Sequence, residues 1–541
     1  MSTQTTIVSS PGKVLLAGGY LVLDRRNSGL VLGTTSRFYT VVRSRPPTAA
    51  TIHPSITITV KSPQFLNAIW TYVATPAPIP TIQTNHPPKW DVRGQTEEAQ
   101  KNRFVHIALG SSLNLVQGIL SQNGTDATGF CSPLNQGLEL DITVLGDNDF
   151  YSQERSNHPL PFFQFLPCPI SSAHKTGLGS SAALVTSLCG SILHHLLPSP
   201  PGKALIHNLA QYAHSLAQGK VGSGFDVSSA VWGSQIYTRF GEDCLKDLMK
   251  EDADTSPSSL LSTLSPSSAN CLFSDPLHCP SQKPFRLPPY TSLILAEVDA
   301  GSNTPSMVGK VLEWRKRKPE LADQIWRDLG EWNARFGEGV KELWNLAGEE
   351  GELEGYVDGV MLLTGLRSEQ WANLLNSDSL TTLSSPTPVH ATIRAFISLR
   401  SIISKIRQLM RRLSASAQVP IEPPLQTNLL NACEERCDGV VGGGVPGAGG
   451  YDALWVLVLS PPRSASSATG SPTQQIQTLW SDWKEMSVRS LSDRAFIHGG
   501  GLEVGVKARE GLQVEDWEDE SEFGSRLREV VESDGASGKR S

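Results

Sequence analysis

Lys175-Thr176-Gly177-Leu178-Gly179-Ser180-Ser181-Ala182-Ala183 sets a glycine-rich turn directly in front of a long apolar segment. From there apolar residues stand at 184, 185, 188, 189, 192, 193, 196 and 197, the wide stripe of a helix buried on most of its circumference. The start of a helix leaves its first N–H groups without intrahelical partners and carries the positive end of the peptide dipoles, so a loop of small residues there can wrap an anion. Phosphate fits such a cradle, and the Ser180 and Ser181 hydroxyls add to it. The plainer alternative is a tight loop whose Ser180 or Ser181 only caps the helix.

Other nucleotide-binding signatures do not accompany this loop. No Gly-Lys pair is followed by Ser or Thr, so the Walker A pattern is absent, and neither the protein-kinase catalytic loop nor Asp-Phe-Gly occurs. Gly442-Gly443-Gly444-Val445-Pro446-Gly447 satisfies G-x-G-x-x-G but precedes a strand instead of opening a helix, which makes a dinucleotide fold a poor reading.

Outward from the loop the chain alternates strand and helix patterns, an α+β mixture. Strands are expected at Val14–Leu16, Tyr20–Leu23, Tyr39–Val42, Ile56–Val60, Leu138–Val144, Ser292–Val298 and Leu454–Leu459. Helices are expected over 102–120, over 306–348 with a break at Pro319, and over 389–413. Residues 251–289 are dominated by Ser, Pro, Asp and Leu without clear periodicity and read as an insertion or linker between an N-terminal domain, 1–250, and a C-terminal domain, 290–541. No internal repeat stands out. The basic run Arg315–Lys318 before Pro319 reads as a solvated helix end more readily than as a nuclear signal.

With 46 Lys+Arg against 53 Asp+Glu the 541-residue chain carries a net charge of −7, which argues against general nucleic-acid binding and requires a local basic pocket for any anionic ligand. No segment reads as a membrane span and the first residues lack a basic stretch followed by an apolar one, so the expected compartment is the cytosol. The eight cysteines are scattered and expected to be reduced. Cys433 and Cys437 could share a helical face, yet no nearby Cys/His pair completes a metal site. Asn123-Gly124-Thr125 matches a glycosylation acceptor but reads as a turn.

Two more glycine-rich pieces gain meaning beside the first. Ser9-Ser10-Pro11-Gly12-Lys13-Val14-Leu15-Leu16-Ala17-Gly18-Gly19-Tyr20 places one lysine at the mouth of a strand, and Val440 to Asp452 holds Pro446-Gly447-Ala448-Gly449-Gly450. In this order the three pieces resemble the GHMP kinase superfamily. Gly18-Gly19-Tyr20-Leu21-Val22-Leu23, Gly219-Lys220-Val221-Gly222-Ser223-Gly224-Phe225-Asp226-Val227 and Ala300-Gly301-Ser302-Asn303-Thr304-Pro305 look, within it, like the phosphomevalonate kinases of fungal type.

That resemblance implies two domains, the first like ribosomal protein S5 domain 2 and the second ferredoxin-like, with the site between them. It implies transfer of the ATP γ-phosphoryl group to 5-phosphomevalonate, in the mevalonate route to isoprenoids and sterols. Lys13 would be the catalytic cation and Asp226 the catalytic carboxylate. Lys175, Gly177, Leu178, Gly179, Ser180, Ser181 and Ala182 would meet the ATP phosphates, with Ser181 on Mg2+. Lys220, Ser223, Gly447, Ala448, Gly449 and Gly450 would meet the substrate. Lys101 and Arg103 are further candidates for its phosphate or carboxylate. One departure touches the metal: mevalonate kinases carry a Glu shortly before the catalytic Asp, where this chain has His214-Ser215-Leu216-Ala217-Gln218. Rival readings are a superfamily member acting on mevalonate, galactose or homoserine, and a non-catalytic sensor, which intact Lys13 and Asp226 disfavour.

Overall fold

The computed structural model describes residues 4–47, 55–77, 87–122, 134, 137–153, 161–199, 201–241, 243–267, 283–298, 304–348, 354–375, 386–461, 470–491, 497–498 and 511–537. Asn123–Thr125, residues 268–282 and the Ala300–Asn303 string lie outside them.

The first half runs β1 (Thr5–Ala17), β2 (Ser28–Arg45), β3 (Ile56–Lys61), β4 (Ile69–Pro76), β5 (Trp90–Gly94), α1 (Glu97–Lys101), α2 (Arg103–Gln122) and β6 (Leu138–Gly146). It continues with α3 (Ser180–Leu196), α4 (Lys203–Gln218), α5 (Phe225–Trp232), β7 (Gln235–Thr238), α6 (Asp243–Lys246) and α7 (Pro257–Leu264). The second half runs β8 (Lys283–Pro284), β9 (Thr291–Val298), α8 (Thr304–Arg317), α9 (Pro319–Ala347), α10 (Glu354–Thr364), α11 (Trp371–Leu374), α12 (Pro386–Ala417) and α13 (Pro424–Arg436). It ends with β10 (Val440–Gly444), β11 (Ala453–Leu459), α14 (Pro472–Asp482), β12 (Val488–Ser490), β13 (Ile497–His498), β14 (Gln513–Glu515) and α15 (Glu522–Ser537).

Among the described residues two sheets form. The first has the order β14-β1-β2-β6-β3-β4-β5, with β7 on β2 and β8 on β7, and is antiparallel except where β3 meets β6. The second is β10-β11-β9-β12, with β13 also on β9. Helices α2, α3 and α5 pack on the first sheet, α4 packs on those three helices, and α3 presents its buried stripe to β1 and β2. Helices α9, α10 and α12 pack together, and α12 and α13 pack on β10.

Several expectations shift. Tyr20–Leu23 is not a strand: Gly18 and Gly19 take φ of 114° and 28°, end β1, and leave Leu21–Leu23 as one 3-10 turn. The glycines 442–444 lie in the buried strand β10, where Gly444 lets the Trp455 ring approach closely and Gly442 the Ile403 side chain. The segment expected as a linker holds α7, capped by Ser256 and packed on α2, where Gly118 leaves room for Pro257 and Leu261; Leu260 and Leu264 are buried. Near the C-terminus, β14 pairs with β1, so part of 290–541 belongs to the first sheet. Buried Arg37 anchors that return by donating to the Gly511 carbonyl at 2.6 Å and to Ser9 Oγ at 2.8 Å. By length and composition α2 could cross a membrane, contrary to expectation, but most of it is buried against α3, α4 and α7.

Candidate active site

Strand β1 supplies the centre. The Lys13 N–H donates to the Leu178 carbonyl at 2.8 Å, and its Nζ donates to the Gly177 carbonyl at 2.7 Å, so backbone and side chain both bind the glycine-rich loop. Two residues on, Leu15 accepts a 3.1 Å bond from the Gly447 N–H. Because a strand rises about 3.4 Å per residue, β1 holds the second and third glycine loops roughly 7 Å apart on one rigid element.

Gly179 is the N-cap of α3 at φ +79°, and no side chain caps that helix. This removes the plain capping alternative for Ser180 and Ser181. Ser181 Oγ instead faces His214 Nε2 at 3.1 Å. Gly224 caps α5 in the same left-handed conformation, again with no side-chain cap, and puts Asp226 in the first turn. Two helix N-termini therefore open beside Lys13, an arrangement that favours anions.

Lys13 is half-buried, with Nζ 5.7 Å from the centre of the Phe225 ring. Burial lowers its pKa, and the Asp226 charge works in the opposite direction. A desolvated ammonium of this kind gains from an arriving anion. The Lys175 ammonium is also drawn below its ordinary value by desolvation. Asp226 Oδ1 accepts from the Val227 N–H at 2.9 Å, and Oδ2 lies 3.9 Å from His214 Nε2. Ser180 and Ala182 are buried under the loop with Leu178, whose carbonyl is the one bound by Lys13.

The third loop sits on a platform made by residues 419–422. Gly450 N–H donates to the Ile421 carbonyl at 2.9 Å, and Tyr20 Oη donates to the Ala448 carbonyl at 2.8 Å. At Gly449, φ is +76° and a Cβ would stand 2.1 Å from the Ile421 oxygen, so only glycine fits. Buried Glu422 is fixed in turn by buried Arg407 at 2.8 Å and by part-exposed Arg411 at 2.7 Å.

The loop carrying Lys220 and Ser223 is held by residues that sequence reading missed. Arg239, 7% exposed, donates to the Gly222 carbonyl at 2.6 Å and to the Leu23 carbonyl at 2.8 Å. Gln211 donates to the Gly224 carbonyl at 2.7 Å, and Tyr237 to the Ser223 carbonyl at 2.6 Å. Lys220 follows the left-handed cap Gly219 and is exposed. Of the remaining candidates, Lys101 pairs with Glu97 on the surface of α1 at 2.6 Å, while Arg103 donates to the Leu216 carbonyl at the end of α4. Arg239, Gln211, Tyr237 and His214 act across the fold and carry no local sequence signal.

No family model matches the chain. Across 498 residues it is 34% identical to the phosphomevalonate kinase of Aspergillus fumigatus, covering 84% of this chain and 88% of that protein. Across 540 residues it is 33% identical to the peroxisomal phosphomevalonate kinase of Arabidopsis thaliana, covering 92% of this chain and 96% of that one. A solved structure, the Lin0012 protein from Listeria innocua, shares the fold with a TM-score of 0.55 at 13% identity, over 95% of this chain and 100% of that one. A third of the residues shared along nearly the full length of such relatives, with Lys13 and Asp226 set among three glycine loops, means that the chain belongs to the phosphomevalonate kinase family.

Proposed function

We propose that the chain transfers the γ-phosphoryl group of ATP to 5-phosphomevalonate, giving 5-diphosphomevalonate and ADP. The observation that carries this reading is Lys13, desolvated and bonded to the Gly177 carbonyl beside two helix N-termini. Residues Lys175 to Ala182 would hold the ATP phosphates. Lys220, Ser223 and Gly447 to Gly450 border the side where the substrate would lie. Phosphoryl transfer asks mainly for positioning and charge neutralisation, which these groups offer.

The acceptor is itself a phosphate. A phosphomonoester has a second pKa of about 6, so at neutral pH it is mostly a dianion and needs no base to remove a proton. Asp226 then serves to hold Lys13 in its charged form and to orient it, and Lys13 steadies the oxygens between donor and acceptor. Mg2+ fits the hard oxygen donors Ser181 and Asp226 and, when bound, would neutralise phosphate charge. We read β1 to β7 with α2 to α5 as the S5-like part, and β9 to β12 with the helices around them as the ferredoxin-like part.

A coupled ADP-release assay with 5-phosphomevalonate, mevalonate, galactose and homoserine tests the proposal. Turnover with 5-phosphomevalonate alone is expected, and preferred use of mevalonate would overturn it.

A further inference from the structure

On the last turns of α4, His214 is 4% exposed, its ring 5.6 Å from that of Phe104. Its Nε2 meets Ser181 Oγ at 3.1 Å, Gln218 Nε2 at 3.4 Å and Asp226 Oδ2 at 3.9 Å. One ring nitrogen thus faces the hydroxyl of α3 and an amide of its own helix, with the carboxylate of α5 close by but not bonded. With the Gln218 amide turned nitrogen-first toward the ring, Nε2 takes the acceptor role, and on that basis we assign the ring proton to Nδ1. At 3.9 Å the Asp226 oxygen is beyond hydrogen-bond reach, in keeping with a nitrogen that directs no proton at it. The Ser181 hydroxyl is then the donor. Its proton points toward α4 and its lone pairs are left for the cleft.

We propose that His214 is a positioning residue: by accepting the Ser181 hydroxyl proton it turns the oxygen lone pairs of Ser181 toward the place where the cation of a metal–nucleotide complex would lie. The inference rests on the kinase reading of this site. A hydroxyl free to rotate would present its proton to that cation part of the time. Among the described residues no other side chain bonds Ser181 Oγ. His214 also stands in the stretch where mevalonate kinases were expected to supply a carboxylate, so an indirect contribution replaces a direct one.

Two polar replacements separate the roles. In His214→Gln the side-chain amide reaches the former Nε2 position, whereas in His214→Asn it reaches only that of Nδ1. Binding of ADP is measured by calorimetry, with Mg2+ and in EDTA, alongside melting temperature. We expect H214N to weaken Mg–ADP binding about tenfold, the scale of one hydrogen bond, with metal-free ADP binding within about twofold of the parent. H214Q should recover most of the loss, and the double variant S181A/H214N should bind Mg–ADP no worse than S181A, because His214 acts through Ser181. Should H214N not fold, His214→Phe, which fills the space without an acceptor, carries the same expectation. Parent-like Mg–ADP binding by H214N, an equal loss in EDTA, or no recovery in H214Q overturns the inference. A parent protein that binds no ADP under either condition would instead overturn the kinase reading beneath it.

Discussion

The Lys13 side chain lies against the open face of Gly179: a Cβ added there would stand 3.0 Å from both Cγ and Cε of Lys13. Gly177 has nearly the same φ, +78° against +79°, but a Cβ on it would meet nothing within 4 Å. Gly179→Ala and Gly177→Ala should therefore share a backbone cost of about 1–2 kcal/mol, seen as similar drops in melting temperature. Only Gly179→Ala should also displace Lys13 and lower kcat, by roughly tenfold to a hundredfold. Equal kcat in the two variants would show that the contact with Lys13 does not matter.

Ser181→Ala isolates the hydroxyl at the start of α3. Because Gly179 is the N-cap and no side chain caps the helix, only the hydrogen bond to His214 is lost, and stability should fall by no more than about 1 kcal/mol. Turnover with Mg–ATP should fall about tenfold, the scale of one lost hydrogen bond or ligand contact. An intact kcat would show that the hydroxyl serves stability alone.

The sign of the Lys13 pKa shift gives a pH test. Burial lowers the pKa and Asp226 opposes burial, so the ammonium is lost at lower pH than an ordinary lysine would lose it. The alkaline limb of kcat/KM should therefore fall below the ordinary lysine range, and in Asp226→Asn it should move to still lower pH. Between the folded and unfolded pKa values the unfolded chain holds this proton and the folded chain does not, so the Lys13 contribution makes stability rise with pH across that window. An alkaline limb that moves upward in Asp226→Asn would contradict the assignment.

Helix α7 offers a test outside the site. Leu264 is fully buried and its carbonyl accepts from Asn208 at 2.8 Å. Leu264→Ala should cost about 2–5 kcal/mol by chemical denaturation, and removal of residues 256–268 should give poorly soluble protein. A deletion that melts like the parent would return this stretch to the linker expected from its composition.

The three glycine-rich pieces that the fold brings together were legible because each is local. The 175–183 loop, the Pro-Gly-Lys strand and the 446–450 turn each announce themselves within a dozen residues; the first and third have glycines at left-handed positions, and the first has a helix stripe behind it. What escaped is non-local. Arg239 reaches Leu23 across 216 positions, and Arg37 reaches Gly511 across 474. A buried arginine has no periodic signature when its partners are carbonyls of distant loops. The pattern in Tyr20–Leu23 was real, but two preceding glycines turned it into a tight turn. In residues 257–264 the apolar positions are too few for periodicity to outweigh the Ser and Pro content, although Leu260 and Leu264 are spaced as one helical face.

The most direct measurement compares kcat of Lys13→Met and Asp226→Asn with 5-phosphomevalonate from pH 6 to 9, with ATP binding measured on both variants. An acceptor that is already a dianion needs charge neutralised, not a proton removed, and general-base catalysis worth about 10²- to 10⁴-fold is not called for. We expect Lys13→Met to lose more kcat than Asp226→Asn, with ATP still bound by both and no base-like pH dependence in the Asp226 loss. A larger loss in Asp226→Asn that follows the titration of a base would contradict this mechanism and point to a kinase that phosphorylates an alcohol.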